Sequence, residues 1–314
     1  MVGRGVETTI KKQLILIGLA ILTVAIAVAA ANVPKAPEPV QESANIIVNA
    51  KDYGARADGI SDDTAALQSA VNYVARNGGG TVQIPAGTYL IDVDESVNLA
   101  SNVKLSLAEQ AVLQAKTTAS ENYAVIKIYD VENVAVVGGS IRGERSSHTG
   151  TTGEWGMGIR MRGSSNIHIA DISISDCWGD AIYIADSNQQ NYCENVIIER
   201  FKLDNNRRQG ISVISVKNLT IRDGTISNTR GTDPQCGIDL EPNDVSQYMQ
   251  KVLVENVTTI NNGNYGFGFG YGIYKKSTRP SDVTIKNLTA YGNVNGTYND
   301  WEQYVNKYCR ITIL

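Results

Sequence analysis

The sequence contains few histidines and cysteines and carries no excess of basic charge. Two histidines, His148 and His168, are too few for a histidine metal site, and their spacing fits no ligand motif. The four cysteines form no Cys-x-x-Cys pair, which argues against structural zinc and favours buried thiols, or one disulfide in an exported protein. The formal net charge of -4 and the lack of a basic stripe argue against a nucleic-acid partner.

An uncharged apolar run extends from Leu14 to Ala31, behind a basic N-terminal stretch. Its length and the small residues at its end fit either a cleaved signal peptide or a retained membrane anchor. Residues 1–31 therefore predict an extracytoplasmic protein, secreted or anchored through this segment. Residues 32–44 are rich in Pro, Glu and Gln and predict a linker, so the folded domain is expected to span 45–314.

A short amphipathic helix is predicted near the start of this domain. Ser61 is a suitable N-cap, and Gly78 is a suitable end of the helix. One apolar face recurs at helical spacing and consists of Leu67, Ala70, Val71 and Val74. Strands are predicted to follow at 81–84 and 88–93. Because a stack of strands needs a cover at its open end, this helix is expected to act as an N-terminal cap.

The rest of the chain carries an internal repeat. An asparagine stands before a predicted strand at intervals of 23 to 33 residues, at Asn102, Asn133, Asn166, Asn195 and Asn218. Lys251 and Asp282 continue the series. Each repeat is predicted to contain three short strands joined by turns. Stacked coils would place these asparagines above one another as a ladder of side chains. The chain after residue 293 starts no recognisable further repeat, which indicates a short cap or a truncated C-terminus.

The segments DYGARADGISDDTAALQSAV and GGGTVQIPAGTYLI resemble the N-terminal signature of the pectin-lyase-like right-handed parallel β-helix proteins. This superfamily includes polygalacturonases, rhamnogalacturonases, pectate lyases and alginate epimerases. The resemblance covers roughly residues 48–295. It implies an all-β, right-handed parallel β-helix with three strands in each coil, and a polysaccharide as the partner.

The strand before each repeat asparagine should alternate between inward and outward residues. Every inward pair is then apolar, from Ile126 and Ile128 to Phe267 and Phe269. The outward residues form a first column of Lys127, Arg160, Tyr183, Ser212, Asp239 and Gly268. A second column consists of Tyr129, Arg162, Ala185, Ile214, Glu241 and Gly270. This register predicts that Asp239 and Glu241 project side by side.

Two adjacent carboxyl groups favour an inverting glycoside hydrolase acting on a uronate-containing polysaccharide, in which one acid protonates the leaving oxygen and one carboxylate activates water. The catalytic candidates are Asp239, Glu241 and, as a third acid, Asp180. The segment WGDAI resembles the Gly-Asp-Asp segment of polygalacturonases, with Ala181 at the second aspartate. Candidate substrate-binding residues, which would pair with uronates or stack on sugar rings, are Arg160, Arg162, Arg207, Arg208, Trp155 and Trp178.

A polysaccharide lyase or a uronate C5-epimerase is the alternative. Either reaction needs a cation to neutralise the uronate carboxylate, for which Arg160 or Arg162 is a candidate, and a base or acid, for which Tyr183 is a candidate. The segment GIDLEPN resembles a Gly-Phe-Asp-Pro-His-Glu segment of alginate epimerases, which matches Asp239 to its aspartate. No cofactor is expected, although a lyase could hold Ca²⁺ at Asp239 and Glu241. A third alternative is a non-catalytic, adhesive polysaccharide-binding protein similar to a tail spike.

Overall fold

The computed structural model describes residues 46–314, which form a right-handed-type parallel β-solenoid of about 9 turns. Short runs of β-branched residues, separated by turns, give the chain this all-β architecture. The predicted all-β parallel β-helix is therefore confirmed. The predicted export segment 1–31 and the linker 32–44 lie outside the described residues. Within residues 46–314, no helix is long and apolar enough to cross a membrane.

The elements of residues 46–314 comprise twenty-two strands, one α-helix and three 3-10 turns. In chain order the strands are β1 Ile46–Asn49, β2 Asp58–Asp62, β3 Gly80–Ile84, β4 Gly87–Ile91, β5 Val97–Asn98, β6 Val103–Leu107, β7 Ala111–Ala115, β8 Asn122–Tyr129, β9 Glu132–Val137, β10 Ser140–Arg142, β11 Trp155–Arg162, β12 Ser165–Ser175, β13 Ile182–Ala185, β14 Cys193–Asp204, β15 Ile211–Val213, β16 Val216–Ser227, β17 Ile238–Leu240, β18 Met249–Ile260, β19 Phe267–Phe269, β20 Ser281–Lys286, β21 Thr289–Tyr291 and β22 Cys309–Ile313. The helix α1 is Thr64–Arg76, and the 3-10 turns are Ala50–Tyr53, Tyr271–Lys275 and Trp301–Tyr304.

The strands pair in parallel and form two sheets. A seven-stranded sheet runs in the order β5-β8-β11-β13-β15-β17-β19 and holds the residues of the first outward column. In the second column, Ile214, Glu241 and Gly270 directly follow strands β15, β17 and β19. The remaining strands form a fifteen-stranded sheet. Two of the three strands predicted for a coil are continuous in β12, β14, β16 and β18. Each of these strands bends at a residue with positive φ, such as Asp171 or Asp223, so the chain turns a corner without leaving the sheet.

The core fills the inside of the solenoid with the inward residues predicted from the alternation. Ile159 pairs with Ile126 on one side and with Ile182 on the other, and all three are fully buried. Aromatic rings fill the later coils, where Phe267 and Phe269 occupy the inward positions. All four cysteines are buried free thiols, at Cys177, Cys193, Cys236 and Cys309.

The repeat asparagines form the predicted ladder. The Nδ2 atoms of Asn133, Asn166, Asn195 and Asn218 each donate to Oδ1 of the preceding asparagine at 2.8 to 3.0 Å. The backbone of every member adopts the left-handed conformation, with φ between 54° and 63°. Asparagine tolerates this conformation better than most residues, so one residue type satisfies both the turn and the ladder.

The helix α1 begins later than the sequence predicts. Ser61 is not its N-cap, because Ser61 lies in strand β2 and its hydroxyl donates to Asp58 at 2.9 Å. Asp63 stands at the N-cap position without a capping bond, since its carboxylate accepts the backbone N–H groups of Arg56 and Ala57. The predicted apolar face of α1 is buried as expected.

Candidate active site

The seven-stranded sheet places the first outward column in the predicted register. Arg160 pairs with Lys127 and Tyr183, Tyr183 pairs with Ser212, and Ser212 pairs with Asp239. Gly268 follows Asp239 on the next strand. Tyr183 and Asp239 therefore lie two strands apart on one face of the sheet, in which neighbouring strands are about 4.8 Å apart. The turns that precede these strands then bring further polar residues to the same surface.

Arg208 connects the acidic residues of this surface. It lies in the turn before β15, and its Nη1 atom is 3.2 Å from Asp180 Oδ2 and 3.2 Å from Ser212 Oγ. Its two terminal nitrogens also donate to the two carboxylate oxygens of Glu241, at 3.0 and 3.2 Å. The fork of the guanidinium thus binds Glu241 bidentately while also holding Asp180. Burial lowers the pKa of Arg208, but Asp180 and Glu241 outweigh burial and raise it.

Asp239 is 4% exposed and lies beside this ion-pair network. Its Oδ2 accepts from Gln209 Nε2 at 2.9 Å, whereas Oδ1 is buried without a hydrogen-bond partner. Burial first, and the neighbouring Glu241 second, raise the pKa of Asp239 to about 8. This carboxyl group therefore holds a proton at neutral pH.

Asp180 is fully buried in the turn before β13, behind Arg208. Burial raises the pKa of Asp180 to about 7, against the opposing effect of the Arg208 guanidinium. Asp180 therefore titrates close to neutral pH. Asp180 is linked to Glu241 through Arg208, which donates to both carboxylates.

The two arginines of the columns have different partners. The Arg160 guanidinium lies over the ring of Tyr183, 5.3 Å from its centroid, and donates to the side-chain oxygen of Asn122. Arg162 Nε donates to the carbonyl of Asp186 at 2.7 Å. Burial raises the pKa of Tyr183 to about 12, so its phenol is neutral at ordinary pH.

The two tryptophans that were predicted to stack on sugar rings also differ in their surroundings. Trp178 lies between the Arg207 guanidinium, 3.8 Å from its centroid, and the ring of His148, which stacks at 3.9 Å. Both faces of Trp178 are therefore covered, and Arg207 contacts this ring instead of the acids. Trp155 is 41% exposed at the start of β11 and leaves an aromatic surface beside the columns.

Two residues of the site are not evident from sequence alone. Gln209 is fully buried and binds Asp239, and Glu154 Oε2 lies 3.9 Å from Arg208 Nε. The position of Gln209 next to Arg208, in the turn before a strand of the column, was the available signal. Both residues belong to turns, whose side-chain directions do not follow the alternation of strands.

The donor set does not fit calcium. Asp239 and Glu241 were the expected ligands, but a guanidinium already donates to both carboxylate oxygens of Glu241. Asp239 contributes one oxygen that is free of hydrogen bonds, whereas Ca²⁺ takes six to eight oxygen ligands. Across residues 46–314, no group of three or more His, Cys, Asp or Glu side chains is arranged to hold a metal ion.

Comparison with protein families gives one match that covers most of the chain. Residues 47–313 match the family described as rhamnogalacturonase A/epimerase, pectate lyase-like. The uncharacterized protein YclG of Bacillus subtilis is 28% identical over 83% of this chain and 44% of its own length. The mannuronan C5-epimerase AlgE3 of Azotobacter vinelandii is 30% identical over 78% of this chain and 12% of its own length. The chain thus spans less than half the length of these relatives.

Solved structures share the fold at low sequence identity. An iota-carrageenase of family GH82 from A. fortis superposes with a TM-score of 0.62 at 20% identity, over 81% of this chain and 54% of that chain. PfbA, a surface adhesin of Streptococcus pneumoniae, superposes with a TM-score of 0.61 at 19% identity, over 78% and 62%. One solenoid architecture therefore occurs both in a carrageenase and in an adhesin, so function has to be argued from the site.

Proposed function

We propose that this chain, which belongs to the rhamnogalacturonase A/epimerase, pectate lyase-like family, is a carbohydrate-active enzyme that hydrolyses a uronate-containing polysaccharide. The observation that carries the proposal is the unlike environment of two adjacent outward carboxyl groups. Asp239 is buried and retains its proton, whereas Glu241 is paired with the Arg208 guanidinium. Glu241 directly follows strand β17, and residues two apart in an extended chain lie about 6.6 Å apart, which is compatible with the carboxyl separation of roughly 6.5–9.5 Å in inverting hydrolases.

The proposed reaction assigns a separate role to each carboxyl group. Asp239 donates its proton to the glycosidic oxygen as the bond to the anomeric carbon breaks. Glu241 accepts a proton from the water molecule that attacks the opposite face of that carbon. After one turnover Asp239 is ionised and Glu241 is protonated, and exchange with solvent restores both. Arg208, which also donates to Asp180, holds Glu241 in place.

Substrate recognition is proposed to involve the cations and the aromatic surface of the same face. Arg160 and Arg162 are placed to pair with uronate carboxylates, and Trp155 offers a ring on which a sugar can stack. Because Asp239 is 4% exposed, substrate binding also requires the neighbouring segment to move aside. That segment includes the turn Trp301–Tyr304, where burial first, and then the charges of Asp300 and Asp239, raise the pKa of Tyr304.

The test is a screen of acidic polysaccharides, including polygalacturonate, rhamnogalacturonan and alginate, with D239N and E241Q as variants. We expect new reducing ends from the wild-type chain and a loss of about 100-fold or more in kcat for each variant. E132Q is the matched control, because Glu132 is an exposed strand carboxylate on the other sheet. Full activity of both site variants would refute the assigned roles.

An elimination or epimerisation reaction is the second candidate. It is favoured by the Arg160 guanidinium over Tyr183 and by similarity to a mannuronan C5-epimerase and an alginate lyase. Tyr183, with its raised pKa, would act as the acid and Arg160 would neutralise the uronate. Absorbance of an unsaturated uronate, or inverted C5 stereochemistry by NMR, would identify this chemistry. Y183F and R160Q should then abolish it.

A non-catalytic adhesin is the third candidate, supported by the same fold in a pneumococcal surface adhesin. It predicts polysaccharide binding that is unchanged in D239N and E241Q, without any product. For each candidate we propose an extracytoplasmic location, directed by residues 1–31. We also propose that α1 covers the N-terminal end of the solenoid, because its apolar face packs beside β1 and β3.

A further inference from the structure

The orientation of the Gln209 side chain is fixed by the backbone. Its Oε1 accepts the N–H of Cys236 at 2.9 Å, and its Nε2 donates to Asp239 Oδ2 at 2.9 Å. A flipped amide would place the NH₂ group against the Cys236 N–H, two donors facing each other. Because a backbone N–H can only donate, the NH₂ group of Gln209 has to face Asp239. The side chain is fully buried, so water does not compete for these two bonds.

This fixed donor distinguishes the two oxygens of Asp239. A proton on Oδ2 would leave Gln209 only a hydroxyl oxygen as acceptor, which is poorer than a carbonyl oxygen, whereas a proton on Oδ1 leaves Oδ2 as the carbonyl that accepts from Gln209. Oδ1 has no partner and faces Gly268 on the next strand, where an added Cβ would lie 2.9 Å from it. The absence of a side chain at Gly268 therefore avoids a steric clash with Oδ1 and with Cys236 Sγ, which would lie 3.0 Å from the same Cβ.

We propose that Gln209 is a positioning residue that assigns the proton of Asp239 to Oδ1, the oxygen beside Gly268. On the proposed function, this is the atom from which the glycosidic oxygen receives its proton. The bond from Gln209 also limits how strongly the acid holds that proton, because it stabilises the ionised form. The inference therefore concerns both where the proton lies and how readily it leaves.

Several charged or titratable groups other than Gln209 act on Asp239. Glu241 directly follows the strand of Asp239, and Arg208 and Asp180 come from the turns before β15 and β13. Cys236 and Tyr304 complete the surroundings. Glu241 and Asp180 raise the pKa of Asp239, and Arg208 lowers it. None of these groups distinguishes Oδ1 from Oδ2 by a hydrogen bond, which leaves Gln209 as the residue that selects the oxygen.

The test is infrared difference spectroscopy of the protonated carboxyl, taken as wild-type minus D239N below pH 7. If the proton is on Oδ1, the carbonyl is Oδ2 and accepts from Gln209. Q209M should then move the Asp239 carbonyl stretch to higher frequency, because that hydrogen bond is lost. If the proton were on Oδ2, the carbonyl would be the unpartnered Oδ1, and Q209M would leave the frequency unchanged, which overturns the proposal.

A carboxyl NMR titration of the same chain measures how readily the proton leaves. Q209M should raise the pKa of Asp239 by about 1 unit. Q209E keeps the acceptor for the Cys236 N–H, but its ionised carboxylate has no N–H to donate to Asp239. It should therefore also raise the pKa of Asp239, which provides a second variant if Q209M folds poorly. Neither the infrared nor the NMR measurement requires a substrate, so each tests the role of Gln209 independently of the proposed hydrolysis. An unchanged pKa in both variants overturns the inference.

Gln247 supplies a matched control. It is also a buried turn glutamine, with Oε1 accepting the backbone N–H of Asn243 and Nε2 donating to the Asp186 carboxylate at 3.0 Å. Q247M and Q247E therefore make the same chemical changes at a glutamine that donates to Asp186 instead of Asp239. They should shift neither the infrared band nor the pKa of Asp239. Equal shifts in the Gln247 variants would mean that general loosening of turns causes the effect, which would also overturn the proposal.

Discussion

Asp239 binds its proton more tightly in the folded chain than in the unfolded chain. Its folded-state pKa is raised from 3.8 to about 8. For a carboxyl group whose pKa is raised on folding, the contribution of that group to the free energy of unfolding is greatest below pH 3.8 and is lost as pH rises through about 8. Asp180, whose pKa is raised to about 7, adds to the same trend. The two buried carboxyl groups thus make the folded state less stable at alkaline pH, because their ionisation is easier in the unfolded chain.

The D239N variant should remove part of this pH dependence. An amide of the same shape carries no charge, and its oxygen can accept from Gln209. At pH 9 we expect the free energy of unfolding of D239N to exceed that of the wild-type chain by about 2 kcal/mol, so that D239N unfolds at a higher urea concentration. At pH 4 the two chains should differ little. Urea titrations monitored by circular dichroism at both pH values measure this. E132Q serves as control, and parallel pH curves for D239N and wild-type would contradict the prediction.

Adjacent residues in the sequence can take separate roles in a turn. Arg207 and Arg208 were both predicted to bind substrate, but Arg207 contacts Trp178 while Arg208 binds the acids. In a strand, alternation decides which side each residue faces, so the columns containing Asp239 and Tyr183 could be predicted. No such period applies to turns. The bonds of Gln209 and Arg208 depend on turn conformation and on partners 27 to 33 residues away.

The repeat itself was predictable because one residue type meets two requirements. Each ladder asparagine has a left-handed backbone and an amide that bonds to its neighbours on both sides. The continuity of β12, β14, β16 and β18 was not predictable, because a single residue with positive φ turns the corner without a glycine or proline. Arg200 is one such residue, and its side chain carries no signal for this conformation.

An interior asparagine of the ladder should contribute more stability than its two hydrogen bonds alone. N166A loses the bonds to Asn133 and Asn195 and also places an alanine at φ 56°. We expect a loss of about 3 kcal/mol, from about 1 kcal/mol for each hydrogen bond and about 1 kcal/mol for the backbone. N166G relieves the backbone and should lose about 2 kcal/mol or less. Urea unfolding measures both, and equal losses for the two variants would show that the backbone conformation contributes nothing.

The solenoid as a whole exposes a sheet edge and an apolar interior at each end unless something covers them. At the N-terminal end of the described residues, α1 buries Leu67, Ala70, Val71 and Val74 beside β1 and β3. Parallel strands with an open edge pair readily with other chains, so the proposed cover should prevent association. This proposed role of α1 can be tested without reference to the chemistry of the site.

V71D places a carboxylate in the buried face of α1 and should release the helix from the strands. Val71 is fully buried, and an unpaired buried charge costs several kcal/mol, more than the docking of a short helix is expected to supply. We expect V71D to form dimers or larger species in light scattering coupled to size exclusion, while the far-ultraviolet spectrum of the β-structure persists. N72D adds the same charge on the exposed side of α1 and should behave as wild-type. If V71D keeps the wild-type mass and only lowers the melting temperature, α1 stabilises the first coil without shielding an adhesive end.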